Sequence, residues 1–273
     1  MKRALLSKKR QFQLAIGLCV SLIIFALLGP FLAPHDPLET DFLHILAPPS
    51  ALYPLGTDQV GRCILSRLLY GAQISLGMTF AMLSVIFVLG IAIGVVAGIR
   101  GGWLDTIIMR IADTILAFPD LVFAIAVVGL LGPGMVNTMC ALAIIWWTKF
   151  ARLSRVLVRT TVQSDAVIAG RMAGASGFTL VRHYILPSIM PPMLTQLSLD
   201  IGNMMLALAG LSFLGLGVQP PTPEWGNMLS EGREYLQSAP WLVIYPGIAT
   251  FVVVIVFNIL GDATRKYLNP ERL

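Results

Sequence analysis

Six apolar runs, at roughly 12–33, 74–99, 106–131, 134–151, 191–216 and 241–262, each approach the length that carries a helix across a bilayer. This repetition is the tightest constraint in the chain. Backbone N–H and C=O groups in hydrocarbon must be satisfied within their own segment, so runs of this length predict helices. The expected fold is therefore an all-α membrane protein of about six transmembrane helices. Composition agrees: only 12% of the 273 residues are charged, against roughly 25% in a soluble domain. The fourth run is the shortest, and no internal repeat is evident.

Charge orients these spans. Lys2, Arg3, Lys8, Lys9 and Arg10 precede the first run, and Arg100 and Arg110 flank the turn between the second and third. Lys149, Arg152, Arg155, Arg159, Arg171 and Arg182 crowd the stretch around the 152–190 loop, and Arg265, Lys266 and Arg272 follow the sixth run. The alternate loops carry Asp36, Glu39, Asp41 and Asp58, then Glu224, Glu231 and Glu234, with Arg62, Arg67 and Arg233 as their basic residues. Basic loops are retained inside, so both termini and the 152–190 loop are expected in the cytoplasm. The net charge of +5 does not indicate nucleic acid, because the basic residues flank spans and form no single solvated face.

The first run, Leu14–Ala33, is too long for the apolar part of a cleaved signal peptide and predicts a retained signal-anchor helix. Residues 1–73 are expected to form that anchor and a Pro-rich extracytoplasmic segment, and 74–273 a core with a loop at 152–190. Cys19, Cys63 and Cys140 have no metal or disulfide spacing, and Cys19 and Cys140 are expected to pack in apolar runs. Prolines at 220, 221 and 223 are expected to stop the fifth helix, and Trp225 and Trp241 to sit at the headgroup interface.

Several polar residues stand out. Ser164 or Asp165 is placed to cap a short helix, followed by the small residues Ala169, Gly170, Ala173, Gly174 and Ala175. Small side chains permit close approach of a partner, although an ordinary basic loop explains them as well. Asp58 and Arg62 are spaced to pair, as are Arg110 and Asp113. Gly210, Gly215 and Gly217 suit helix–helix contact. Asp200 lies well inside an apolar span, where a carboxylate costs about 2.5–3.5 kcal/mol unless it meets a partner or a wet cavity. It lines a pathway or makes a structural hydrogen bond. Asn203 and Met204 lie within a turn of it, and Met204 shares its face; methionine is more often a packing residue than a soft ligand.

The stretch Ala169-Gly170, Gly174 and Ile185-Leu186-Pro187 resembles the cytoplasmic EAA loop of ABC importer permeases. Ile168 stands where that family has Glu, and Gly170 where it has the second Ala. The sequence L-G-T-D-Q-V-G-R-C at 55–63 and S-L-D-I-G-N-M-M-L at 198–206 resemble the subfamily holding the second permeases of peptide and nickel importers. The resemblance implies a type I importer permease fold in a bacterial inner membrane. It implies that Ala169, Gly170, Arg171, Gly174 and Arg182 form a coupling helix docking on an ATPase. It implies as partners a homologous second permease, two ATPase subunits, an extracytoplasmic binding protein and membrane lipid. ATP and Mg would be used by the ATPases, with no cofactor on this chain. Asp200, Asn203 and Met204 are the expected pathway residues. The D-I-G-N-M-M-L string and Ile168 resemble the nickel or metal-chelate branch, with di- or oligopeptide as the alternative.

No phosphate loop occurs, and His35, His44 and His183 all fall outside the apolar runs. No Ser/His/Asp or paired-carboxylate arrangement suggests an enzyme. A secondary transporter would need its own coupling-ion site, for which Asp200 alone is thin support.

Overall fold

The structure is a computed structural model and describes residues 2–268; Arg272, counted above among the cytoplasmic cations, lies outside the described residues. Ten α-helices make up nearly all of it: α1 (Lys2–Leu32), α2 (Ile64–Arg100), α3 (Gly102–Leu116), α4 (Asp120–Leu131), α5 (Met135–Val162), α6 (Asp165–Met172), α7 (Gly177–Leu180), α8 (Leu186–Phe213), α9 (Trp225–Gly232) and α10 (Trp241–Leu268). The only β pairing among the described residues is an isolated bridge between Thr57 and Cys63.

Four segments are long and apolar enough to cross a membrane, Lys8–Leu32, Ile64–Arg100, Gly177–Phe213 and Trp241–Tyr267, and the pair α3 and α4 makes a fifth if it counts as one span. The expected single run at 106–131 is bent by 93°. Pro119 explains the break: its ring removes an N–H, and its Cδ pushes Phe118 out of helical geometry. The fourth run is longer than expected, because α5 continues to Val162 through Lys149, Arg152, Arg155 and Arg159. These cations therefore sit on a helix and not in a loop. The second run begins at Ile64, so residue 73 lies inside one continuous helix. The fifth begins early as well. α7, a π-helical turn at Val181–Ile185 carrying His183, and α8 follow directly on one another. The wide turn lies where Pro187, Pro191 and Pro192 deprive the rod of N–H donors.

The core forms where α2, α5, α8 and α10 meet, around Ile86, Ile145, Phe150, Met193, Met204 and Phe257. α2 and α5 approach closely along Gly90, Gly94 and Gly98. A Cβ on Gly90 would lie 2.4 Å from that of Phe150, and one on Gly94 would lie 2.4 Å from the Ala151 carbonyl oxygen. Between helices in lipid, where hydrophobicity gives no driving force, such small-residue seams supply the packing. Gly210, in contrast, has open space around it. α1 packs mainly on α2 and α10, at the edge of the bundle. Cys19 is buried as expected, but Cys140 is exposed on α5.

Candidate functional site

The loop between α5 and α8 is built from two short helices and a tight reversal. Ser164 is the backbone N-cap of α6, but its hydroxyl donates to the Thr161 carbonyl and makes no side-chain cap. α6 ends in a Schellman motif: Ala175 N–H donates to Gly170 O at 3.0 Å and Gly174 N–H to Arg171 O at 3.1 Å. Gly174 has φ +81°, the left-handed conformation that this motif requires and that a Cβ resists. Helix termination is by itself sufficient reason for glycine at this position. Ser176 then caps α7, accepting from Thr179 N–H.

The expected contact residues divide. Gly170 and Val167 face inward, and a Cβ on Gly170 would touch Leu180 and Tyr184 at 3.1–3.3 Å. Ala169, Arg171, Gly174 and Arg182 are exposed. So are three large apolar side chains, Ile168, Met172 and Phe178, of which Met172 is 85% exposed. Ile168, the departure from Glu, thus places an apolar group on the open face.

An ionic ladder lies beside this loop. Asp105 on α3 accepts from Arg155 and, at 2.6 Å, from Arg159 on α5. Asp113 pairs with Arg152, and Asp120 at the start of α4 pairs with Lys149, whose ammonium lies 4.1 Å from the Trp146 ring centroid. The expected Arg110–Asp113 pair does not form, because the cations projecting from α5 reach all three aspartates across the helix interface.

At the opposite end lies a sealed cluster that the sequence reading only half anticipated. Asp58 and Arg62 do pair, Nε to Oδ2 at 2.6 Å. Arg67 joins them, 3.5 Å from Asp58 and 2.7 Å from Glu231 on α9. Glu231 also accepts from Arg62 at 3.0 Å and from Gln59 at 3.2 Å. Arg67 is 1% exposed and donates to the Pro221 carbonyl as well. Gly61 closes the underlying turn with φ +81°, where a Cβ would overlap the Asp41 carbonyl oxygen. Nearby, Glu224 caps α9 through the Gly226 and Asn227 N–H groups and accepts from Ser75. Trp225 is buried and donates to Leu68 O at 2.9 Å, and Trp241 donates to Thr57 O at 3.2 Å. Trp225 is therefore an internal strut and not an interfacial anchor. Outside the helices, hydrogen bonds from His44 and Tyr53 hold the Asp41 carboxyl below its ordinary range.

Asp200 is buried on α8. Its oxygens accept from Gln196 Nε2 at 2.8 Å and Asn203 Nδ2 at 3.3 Å. No cation pairs with it among the described residues. Asn203 is exposed, whereas Met204 is fully buried in the core. Met204 thus packs within the core cluster. No group of three or more metal-ligating side chains occurs among the described residues.

Comparison with known proteins decides the family. Residues 90–272 match the binding-protein-dependent transport system inner membrane component, more than half of the chain. The chain belongs to this family. Residues 5–49 match the N-terminal transmembrane domain of oligopeptide transport permease C. The chain is 42% identical over 257 residues to the di/tripeptide transport system permease protein DppC of Pseudomonas aeruginosa, covering 92% of this chain and 85% of that protein. It is 39% identical over 266 residues to the nickel transport system permease protein NikC of Escherichia coli, covering 97% and 96%. A solved structure of the MetNI methionine ABC transporter, in inward-facing conformations, superposes with a TM-score of 0.59 at 18% identity, covering 74% of this chain and 96% of that one. That likeness concerns the fold alone. The protein is a permease subunit of an ABC importer and not an enzyme, with an all-α type I permease fold.

Proposed function

We propose that this permease supplies half of the pathway of an importer for nickel or a metal chelate. It sits in a bacterial inner membrane with both termini cytoplasmic, beside a homologous second permease, two ATPases and an extracytoplasmic binding protein. ATP and Mg act at the ATPases. The observation that carries the substrate reading is Asp200, a buried carboxylate held by two amides and by no cation among the described residues. A buried charge without a counter-ion favours a passing positive charge. The di- or oligopeptide reading has its own support: a relative at 42% identity is named for di- and tripeptides, and no metal-ligating cluster occurs among the described residues.

Uptake of radiolabelled nickel(II), free and chelated, beside a labelled dipeptide in cells carrying the whole importer separates the two. Nickel uptake that is abolished by deleting this chain supports the metal reading, and dipeptide uptake alone overturns it. Asp200→Asn, which keeps shape and loses charge, is expected to lower the rate per assembled complex; an unchanged rate returns Asp200 to packing.

The coupling assignment rests on the exposed Ile168, Met172 and Phe178, in the same stretch as the exposed Arg171 and Arg182. Met172→Asp is expected to cut both ATPase co-purification and uptake while the spans keep their thermal stability. Orientation is read by labelling cysteines in a Cys140→Ala background. A probe at the exposed Glu234 should react in intact cells and one at Ser176 should not, and the reverse pattern inverts the topology.

A further inference from the structure

A cleft of about 400 Å³ lies between α1 and α10, lined by Gln11, Leu14, Ala15, Leu18, Ile259, Asp262, Ala263 and Lys266. Its walls are apolar along Leu14, Leu18 and Ile259 and polar at one end, at Gln11, Asp262 and Lys266. Both walls belong to helices long and apolar enough to span a membrane, so the cleft runs along the bilayer. Because α1 packs mainly on α2 and α10, the cleft lies at the edge of the bundle. The stacked rings of Phe12 and Tyr267, 4.7 Å apart at 8°, tie the two helices together beside its polar end.

The charge at that end is lopsided. On α1, Lys8 is three residues before Gln11 and seven before Ala15, so it continues the face that lines the cleft. Lys266 completes the set from α10. Two cations thus meet one carboxylate, Asp262, and Lys8 and Lys266 make no ion pair among the described residues. We propose that this cleft binds one anionic phospholipid, with its phosphate between Lys8 and Lys266 and an acyl chain along Leu14, Leu18 and Ile259. The two halves of the cleft match the two halves of that molecule: a basic mouth for a phosphate and an apolar channel for a chain, in a position where lipid is the solvent. Basic pockets between membrane helices recognise anionic headgroups in this way, with each lysine near the surface contributing about 1 kcal/mol, or about fivefold in affinity.

The test titrates the purified complete importer with phosphatidylglycerol and, separately, phosphatidylcholine, counting retained lipids by native mass spectrometry. Phosphatidylglycerol is expected to be retained by the unaltered complex, about fivefold more weakly by Lys8→Gln and again by Lys266→Gln. Ala15→Leu, which narrows the channel without altering charge, should weaken it too. Arg100→Gln, a basic residue on another helix end, should leave retention unchanged. Three outcomes overturn the proposal: equal loss in Arg100→Gln, which makes the binding general surface charge; equal retention of phosphatidylcholine, which removes headgroup recognition; or no retained lipid together with loss of the second permease in Ala15→Leu, which assigns the cleft to a partner helix. Complex yield and melting temperature of each variant separate lost binding from lost folding.

Discussion

The two ends of this molecule carry ion pairs built on opposite plans. At the α2–α9 end, Asp58, Arg62, Arg67 and Glu231 bond one another in a closed set, with Arg67 1% exposed. At the α3–α5 end, Asp105, Asp113 and Asp120 pair outward with a row of cations, and the Asp113 side chain is 59% exposed. A closed buried set is costly to desolvate, and removing one member strands the others. An exposed rung exchanges its partner for water at little loss. The first arrangement therefore holds one geometry, whereas the second permits α3 and α5 to shift beside the loop that carries α6.

The largest effect is expected where a member of the closed set is removed. Glu231→Ala leaves two buried guanidinium groups to Asp58 alone and should cost about 3–5 kcal/mol, read as a fall in melting temperature and in yield of folded protein. A change below 1 kcal/mol would show that water enters the cluster and that the two ends are alike. Asp105→Asn tests the inner, best-shielded rung. It loses charge-assisted bonds to Arg155 and Arg159, and about 1–2 kcal/mol is expected after discounting for the partly exposed arginines. Asp113→Asn should cost no more than about 0.5 kcal/mol, and that small difference should vanish in high salt. If it instead costs as much as Glu231→Ala, the ladder is a clamp and the comparison fails. The smallest effect concerns pH. Asp41 is held below its ordinary range by His44 and Tyr53, so its contribution is present above the unfolded value near 3.9 and is lost only as pH falls through the lower folded value. Amide protection factors in residues 34–63, with the intrinsic pH dependence of exchange divided out, should stay flat down to about pH 4 and fall only below it in wild type; Asp41→Asn should show the lower, acid-like protection throughout.

Helix existence was legible because bilayer length and charge parity leave little freedom, and Asp58–Arg62 was legible because four-residue spacing brings the pair together. What lay hidden depends on distance. Nothing local connects Arg67 to Glu231, 164 positions away. The partners of Asp105, Asp113 and Asp120 emerge only once α5 is known to continue past residue 151, and four cations in a row read as a loop. Pro119 was in plain view, but a uniformly apolar stretch outweighed it. Gly174 illustrates a subtler miss: the small residue was noticed, and its purpose, ending α6 with a left-handed turn, needed the backbone. Trp225 shows that an indole near a membrane end answers to whichever carbonyl is in reach, here that of Leu68.

The unbroken course of α5 has a mechanical meaning. At one end it runs within two residues into α6, and at the other Gly134 N–H and the Thr138 hydroxyl grip the carbonyl of Leu216 at 3.0 and 2.8 Å. Its 28 residues make a strut about 42 Å long with no proline and no kink to absorb a push. A tug on the loop at α6 is thus delivered along a connecting rod to the carbonyl of Leu216, and the glycine seam with α2 is the sleeve that keeps the rod true.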